Sequence, residues 1–263
     1  MLGLALEGQA QDAIRKGRVF FYWGYNRSWY TKSDIHLQGK NYDVTIHDAK
    51  GQDKPEPVDL SVYCHPERFT VPQYNYALGY HLSEKWSIAG GFDHMKYFFV
   101  ADQSYKITGY AQTEEHPEVN GEYQEDLVFI PSEDFEYEHS DGLNYVFLEG
   151  TYHQSVWMSP SQRFYLDVNG GLGAGLLIPK TRFRAFDHES DNRFHVAGGG
   201  FNGKLEMRFT FYRNFFLQTA AKGGYLWMGN ILTTSDPAEK ADQRFGFLEY
   251  FVSLGFSVPL NKQ

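Results

Sequence analysis

Apolar and polar residues alternate in this chain over unusually long stretches. From Arg18 onward the alternation has a period of two, as in a β-strand, and single stretches run for about 14 to 20 residues. A typical strand of a soluble protein has roughly 5 or 6 residues. The pattern predicts eight strands, at 18–37, 69–82, 86–101, 142–157, 163–178, 194–211, 215–231 and 243–259. We therefore expect an all-β fold built from long strands.

The connections between these predicted strands alternate between short and long. Three links of three to five residues, among them 83–85 and 212–214, join the second strand to the third, the fourth to the fifth and the sixth to the seventh. The four long connections are 38–68, 102–141, 179–193 and 232–242. Tight turns at one rim and longer loops at the other are typical of outer-membrane barrels. An even strand count then predicts that both termini lie in the periplasm.

The two faces of the predicted strands differ sharply in chemistry. In 194–211, Leu205 and Phe209 fall on one face, whereas Lys204, Glu206 and Arg208 fall on the other. A transmembrane barrel is apolar outside and can be polar inside. A soluble, secreted lipocalin-like barrel would bury the same apolar faces and expose the charges, and periodicity alone does not separate the two. Strand length and the alternation of the connections favour the membrane interpretation.

On these patterns, residues 18–259 resemble the small eight-stranded outer-membrane barrels, the class that includes the OmpA transmembrane domain and OmpX. The resemblance implies a closed antiparallel eight-stranded up-and-down transmembrane β-barrel in a Gram-negative outer membrane. It implies contact with the lipid bilayer and lipopolysaccharide, and it implies no activity. No diagnostic motif accompanies the pattern.

Composition excludes several other classes of protein. The chain has 24 Lys and Arg against 33 Asp and Glu, a net charge of −9, which disfavours binding to nucleic acid. It has no run of 18 apolar residues, so a spanning helix is not expected. Cys64 is the only cysteine and cannot form an internal disulfide or a thiolate zinc cage. The sequence predicts no cofactor.

The ends of the chain lie outside the predicted strands. Residues 1–10 combine a short apolar segment with small residues near position 10, which is typical of the end of a secretory signal peptide. A disordered amino terminus is the alternative. We expect residues 11–17 to be a periplasmic lead and residues 260–263 to be a short tail.

Alternation also predicts a polar network inside the barrel. Counted from the short-turn rim, Asp93, Glu149, Lys204, Lys222 and Glu249 reach a similar height on inward-facing positions. The complete predicted network is Asp93, Glu149, His153, Asp167, Lys204, Glu206, Arg208, Lys222 and Glu249. Buried charges need partners, so we expect a salt-bridged, filled interior and not a general porin. An ion path or a catalytic carboxylate pair is the functional alternative to a structural core.

The connection 102–141 has a larger net negative charge than the whole chain. It holds twelve carboxylates and one base, Lys106, a charge of 1 − 12 = −11. Carboxylates at this density can bind a divalent cation or attract a basic protein partner. The candidate metal ligands are Glu122, Glu125, Asp126, Glu133 and Asp134, although their spacing is not that of an EF-hand. Simple solvation is the alternative. The aromatic content favours a folded cap, and 32–47 favours a protruding hairpin.

Histidine, serine and aspartate residues near the long-loop rim suggest two kinds of site. Some eight-stranded outer-membrane enzymes that deacylate or acylate lipid A use such residues, and Asp34, His36, His139, Ser140 and Asp141 are the candidates here. By height along the strands, Asp34 and His36 can meet His139 and Asp141. A metal- or lipid-binding rim would use the same residues. The favoured function is a non-enzymatic surface anchor or interaction protein that contacts envelope partners through its long loops.

Overall fold

The computed structural model describes residues 13–57, 59–63, 65, 67–68, 70–114, 119–185, 188–189 and 193–260. The predicted signal remnant at 1–10, the beginning of the lead, Cys64 and the end of the tail lie outside the described residues. The elements are β1 (Arg18–Tyr30), β2 (Ser33–Gln38), β3 (Tyr42–Ala49), β4 (Gly51–Gln52), α1 (Leu60–Tyr63), β5 (Tyr74–His81), β6 (Trp86–Phe99), β7 (Gln103–Ala111), β8 (Gly121–Ile130), β9 (Glu136–Met158), β10 (Phe164–Pro179), β11 (Arg182–Ala185), β12 (His188–Glu189), β13 (Gly198–Phe211), β14 (Phe215–Leu232) and β15 (Lys240–Pro259). No helix of the described chain has the length and apolar content needed to cross a membrane.

Eight of these strands follow the eight predicted ones, and we call them the wall strands: β1, β5, β6, β9, β10, β13, β14 and β15. Each is antiparallel to the next in that order. β15 in turn pairs with β1 along all 13 residues of β1, from Arg18 opposite Pro259 to Tyr30 opposite Phe247. The predicted all-β, antiparallel fold class is confirmed.

The first predicted strand, 18–37, is two strands in the structure. Tyr30 pairs with Phe247 and Ile35 pairs with Gln243, so the four residues 31–34 oppose the three residues 244–246. The extra residue is a bulge, which ends β1 and turns β2 toward β3. β9 begins six residues earlier than predicted, because Glu138 and His139 pair with the upper end of β6.

The alternation of the wall strands places apolar side chains outside and charges inside. On β13, Leu205 is 71% exposed, whereas Lys204 and Arg208 are each 5% exposed. We call the exposed apolar side chains of the wall strands the apolar belt: Leu78, Ile88, Leu148, Val168, Leu172, Phe201, Leu205, Phe209, Leu217, Leu248, Val252 and Leu254. A soluble barrel requires the opposite orientation.

Beyond the belt, the connections of the long-loop side fold into strands that continue the same sheet. β2 pairs with the upper end of β15, and the pairing continues through β3 and β7 to β8. We call these four strands, β2, β3, β7 and β8, the extension sheet. Its inner face buries Ile35, Leu37, Val44, Ile46 and Ile107, each at most 6% exposed. The expected hairpin at 32–47 is the β2–β3 pair, and the folded cap includes β7 and β8.

Candidate functional site

The interior is closed at the short-turn rim by a residue of the amino-terminal lead. Arg15 is 3% exposed and lies just before β1. Its Nη2 atom donates to Oδ1 of Asp167 at 2.5 Å and to Oγ of Ser155 at 2.8 Å. The cavity beside Arg15, Asp167 and Arg208 measures about 10 Å³, which is about the smallest volume that holds one water molecule.

Above this rim, ion pairs join charged side chains that lie at different heights in the interior. Lys204 Nζ lies 2.6 Å from Glu149 Oε1 and 3.0 Å from Glu206 Oε2. Arg208 Nη2 lies 3.0 Å from Glu206 Oε1. Residues 204, 206 and 208 are alternate positions of β13, so one strand places all three side chains inside. The arrangement alternates positive and negative charges along the interior.

A separate group of charges lies beside this chain of ion pairs. Lys222 Nζ lies 2.7 Å from Asp93 Oδ2 and 3.7 Å from the centre of the Phe147 ring, a cation–π contact. Glu249 is the cross-strand neighbour of Lys222 and is fully buried. Neither of its carboxyl oxygens has a hydrogen-bond partner among the described residues. Two acids therefore lie beside one ammonium group.

His153, the remaining residue of the predicted network, contacts a hydroxyl group. Its Nε2 atom lies 2.7 Å from Oγ of Ser87, and its ring packs against that of His81. His153 and Ser87 are each at most 2% exposed. Substrate has no visible access to this pair, so its geometry is that of a packed polar core.

The predicted catalytic residues are not brought together. His139 is fully buried against Tyr97 and Tyr137, and its Nδ1 atom lies 3.0 Å from Oγ1 of Thr181. Ser140 donates its hydroxyl to Glu138, and Asp141 pairs with Lys180 at 2.9 Å. The expectation that Asp34 and His36 meet His139 and Asp141 is wrong. β2 continues beside β15, whereas His139 lies on β9 between β6 and β11.

Asp34 belongs instead to a hydrogen-bonded chain that the sequence analysis missed. Oδ2 of Asp34 lies 3.1 Å from Nδ1 of His47, and Nε2 of His47 lies 2.9 Å from Oγ1 of Thr108. The backbone N–H of Asp48, whose φ is +51°, donates to Oδ1 of Asp34 at 3.0 Å. An acid, an imidazole and a hydroxyl in this order form the arrangement of a hydrolase triad. His36 pairs separately with Asp43 at 2.9 Å.

The sequence contained enough information to predict one of these contacts, that between Asp34 and His47, but not the contact with Thr108. Within the expected 32–47 hairpin, Asp34 and His47 occupy outward positions of adjacent strands, so their proximity followed from the hairpin register. The pairing of β3 with β7, which brings in Thr108, joins residues about 60 positions apart. Alternation within a strand carries no information about such a pairing.

The candidate metal ligands do not form a metal site. Within the described ranges, no group of three or more His, Cys, Asp or Glu side chains is placed to hold an ion. Glu125 pairs with Lys106 at 3.2 Å, and Asp126 accepts the backbone N–H of Gln124. The five candidates, Glu122, Glu125, Asp126, Glu133 and Asp134, are all exposed.

An apolar cavity lies between the extension sheet and β11. Its volume is about 110 Å³, and its lining includes Val44 and Ile107 inside the sheet, Val128 on β8 and Ala185 on β11. Asp134 is the one charged residue of the lining. Nearby on β3, burial raises the pKa of Tyr42 to about 12, which fits an interior that does not accept charge.

No protein-family model matches this chain, and no curated protein sequence matches it. A similar solved structure is the outer membrane protein OprG from Pseudomonas aeruginosa, with 11% identity and a TM-score of 0.42, covering 94% of this chain and 98% of that one. A second is Ail, the attachment invasion locus protein of Yersinia pestis, with 11% identity and a TM-score of 0.34, covering 92% and 99%. A third is the N-terminal β-barrel domain of Pseudomonas aeruginosa OprF, with 11% identity and a TM-score of 0.32, covering 92% and 98%. These three solved structures are small outer-membrane β-barrel proteins.

Proposed function

We propose that this chain is an integral outer-membrane protein, in which the eight wall strands form a closed transmembrane barrel and the extension sheet contacts other envelope molecules. The observation that carries the proposal is the inverted pattern of burial, with apolar side chains exposed on the wall strands and charged side chains enclosed. Leu172 and Leu205, at 77% and 71% exposure, are far more exposed than Lys204 or Glu149.

The apolar belt supports a lipid environment. Soluble monomers rarely expose continuous apolar patches larger than a few hundred Å², and the belt has members on β5, β6, β9, β10, β13, β14 and β15. Contact with acyl chains removes this surface from water. Trp86 and Trp157, each at least 50% exposed, lie near the short-turn end, where a lipid interface favours aromatic side chains.

Pairing of the first and last wall strands supports closure of the barrel. In hydrocarbon, an unpaired strand edge leaves backbone N–H and C=O groups without partners, at a cost of several kcal/mol each. The pair between β1 and β15 supplies those partners along all of β1. Short turns join the wall strands at the end where β1 starts and β15 finishes, which supports a periplasmic location for both ends.

The enclosed ion pairs support a structural barrel over a general porin. Lys204, Glu206 and Arg208 project into the interior from one strand, and Glu206 forms ion pairs with both cations. Eight strands enclose only enough space for side chains. We infer that the working surface is the folded long-loop side, which would act as a surface anchor or an interaction site.

Matched substitutions test the membrane assignment. Leu205 in the middle of the belt and Leu127 on β8 are 71% and 72% exposed, so an arginine at either site meets similar exposure but a different environment. We expect Leu205→Arg to lower the free energy of unfolding by about 2 to 4 kcal/mol in lipid vesicles, and Leu127→Arg to leave it unchanged. The measurement is urea unfolding, in which the heat-modifiable migration on gels reports the folded fraction.

Cell fractionation completes this test. The wild-type protein should remain with the outer membrane after washing without detergent and should migrate differently before and after boiling. Recovery in the wash, or equal effects of the two arginine substitutions, would contradict the proposal.

A second candidate function is hydrolysis or transfer of lipid acyl chains at the outer leaflet, and the Asp34–His47–Thr108 chain favours it. In this reaction Thr108 Oγ1 attacks an ester carbonyl, and its proton passes to Nε2 of His47 and then to the leaving alcohol. Water, or a second alcohol, releases the acyl group by the same steps. Asp34 orients the imidazole. Asp34, His47 and Thr108 lie on the outer face of the extension sheet, beyond the apolar belt.

Substitution of the proposed nucleophile tests this candidate. Thr108→Val should abolish release of fatty acid from purified lipopolysaccharide, and His36→Gln, which alters a histidine outside this chain of residues, should not. Equal lipid A acylation in cells that carry wild-type protein, Thr108→Val or no protein would exclude the enzyme.

A further inference from the structure

β8 is an edge strand on the long-loop side. In the described part of the chain, β8 pairs with β7 alone. It is the last strand of the extension sheet, which continues from β15 through β2, β3 and β7. An unpaired edge offers backbone donors and acceptors to another extended chain. Below a bulge at Glu125, where φ is +62°, residues 127–130 pair regularly with 103–106, so the lower half of the edge is straight.

The lower half of β8 also exposes large apolar side chains away from the apolar belt. Leu127 is 72% exposed and Phe129 is 58% exposed, and both lie on the outer face. Val128 and Ile130, on the inner face, line the cavity of about 110 Å³, and Phe129 borders the same cavity. The cavity therefore reaches the edge of β8. A strand laid along this edge would point alternate side chains into the cavity and past Phe129.

The size and lining of the cavity match one apolar side chain. A protein cavity of roughly 150 Å³ lined by apolar groups stays dry and accepts benzene, so about 110 Å³ suits a side chain smaller than a phenyl ring, such as leucine. The lining includes Val44, Ile107 and Ala185, which offer no hydrogen bonds to a polar side chain.

Charge determines which extended chain fits. Glu122, Glu125 and Asp126 lie on β8, and Glu133 and Asp134 follow it directly, all exposed. Lys106 and Arg184 are the basic residues that contact this segment among the described residues. A second copy would bring the same five acids to the interface, and like charges directly opposite destabilise a strand pair. Lysine or arginine side chains alternating with apolar ones complement the edge.

We propose that the lower edge of β8 and the adjoining cavity bind an extended segment of another envelope protein, in which basic residues alternate with apolar ones. The segment adds a strand to the extension sheet, places one apolar side chain in the cavity and sets its cations against Asp126, Glu133 and Asp134, the acids that flank residues 127–130. This inference rests on the proposed function, since it assigns the partner chemistry of the long-loop surface.

Synthetic peptides test the proposal on the full chain in phosphatidylcholine nanodiscs. The probe is a fluorescein-labelled peptide of sequence Lys-Leu-Lys-Phe-Lys-Leu-Lys, read by fluorescence anisotropy against empty nanodiscs. One control peptide has the same composition with its lysines in one block. A second carries N-methyl groups on alternate backbone nitrogens, which removes the donors to β8. We expect both controls to bind at least tenfold more weakly than the alternating peptide.

Protein variants locate the binding. Ala185→Phe fills the cavity and should weaken binding at least tenfold; Ala185→Leu serves if the larger side chain prevents folding. Phe129→Ser should weaken binding about fivefold, whereas Phe194→Ser, at 56% exposure against 58% for Phe129, should not. Equal binding of all three peptides would show electrostatic adsorption only and would overturn the proposal, as would no binding of the alternating peptide.

The failure of this inference is separable from failure of the proposed function. A protein that fractionates with the outer membrane and responds to Leu205→Arg, yet binds no alternating peptide, retains the proposed barrel and loses only the strand-binding edge. A protein recovered in the wash loses both.

Discussion

Inside the wall strands, the described charged side chains lie close to side chains of opposite sign. Removing one partner of a buried ion pair leaves an uncompensated charge, which costs more than the pair itself contributes. Among the described interior residues, four cations, Arg15, Lys204, Arg208 and Lys222, lie beside five carboxylates, Asp93, Glu149, Asp167, Glu206 and Glu249. Among these five carboxyl groups, Glu249 has no ion pair, and no N–H or hydroxyl group of the described residues donates to its oxygens. The loss of Lys222 and the loss of the Glu249 charge should therefore have unequal effects.

We predict that Lys222→Met lowers the free energy of unfolding by about 3 to 5 kcal/mol, because it leaves the buried Asp93 carboxylate without its cation. Glu249→Gln keeps the shape of the side chain and removes repulsion from Asp93, so we expect a change below about 1 kcal/mol or a gain. Urea unfolding in lipid vesicles, followed by tryptophan fluorescence, measures both. A larger loss for Glu249→Gln than for Lys222→Met would refute this account.

Except for Arg15, which was expected in the periplasmic lead, sequence alternation predicted that these residues face inward and roughly at what height, but not their contacts. Lys204 was expected to share a layer with Glu149, and the structure also joins it to Glu206 on its own strand. A lysine side chain is long enough to reach a carboxylate at either height, and a strand pattern contains no information about which direction it takes. The Lys222–Asp93 contact joins β14 to β6, which are not neighbours in the sheet.

At the level of elements, the long connections are folded strands that extend the structure past the belt. The expected hairpin at 32–47 was readable because its two halves are close in sequence. The β3–β7 pair was not, since it forms between residues about 65 positions apart, such as Val44 and Gly109. The break between β1 and β2 escaped prediction as well, because a one-residue bulge leaves both halves with strand-like alternation.

Gly109 is required where β7 meets β3. Its φ is +113°, and a Cβ atom there would lie 1.9 Å from the carbonyl oxygen of Asp43. We predict that Gly109→Ala separates these strands and makes 32–49 and 103–130 sensitive to protease, while the wall strands stay heat-modifiable. Gly150→Ala is the matched control, since a Cβ atom at Gly150 meets nothing within 4 Å. Equal protease resistance of the two variants, measured on intact vesicles, would contradict the prediction.

At the scale of the whole molecule, enclosed side chains leave little space for permeation. Arg15 blocks the short-turn rim through Asp167 and Ser155, and the cavity beside them measures only about 10 Å³. At the opposite end, Tyr97, Tyr137 and Phe245 pack against one another inside the wall strands. These contacts lead us to expect no open path through the interior.

We predict that the purified protein forms no stable open channels in planar lipid bilayers. The side chains that fill the interior are held by ion pairs and ring contacts, so an applied voltage should not move them aside. A general porin reconstituted at the same protein amount is the positive control. Reproducible conductance steps from the wild-type protein would show that the interior opens and would refute a filled barrel.

The neighbouring positions of β1 and β15 have a consequence for biogenesis. β1 acquires one of its two partners only after translation has reached Pro259, because that partner consists of Phe247 to Pro259. In a nascent fragment that lacks these residues, the backbone N–H and C=O groups on one edge of β1 have no strand to pair with. Insertion should then depend on a chaperone that shields the unfinished polypeptide until its final strand arrives.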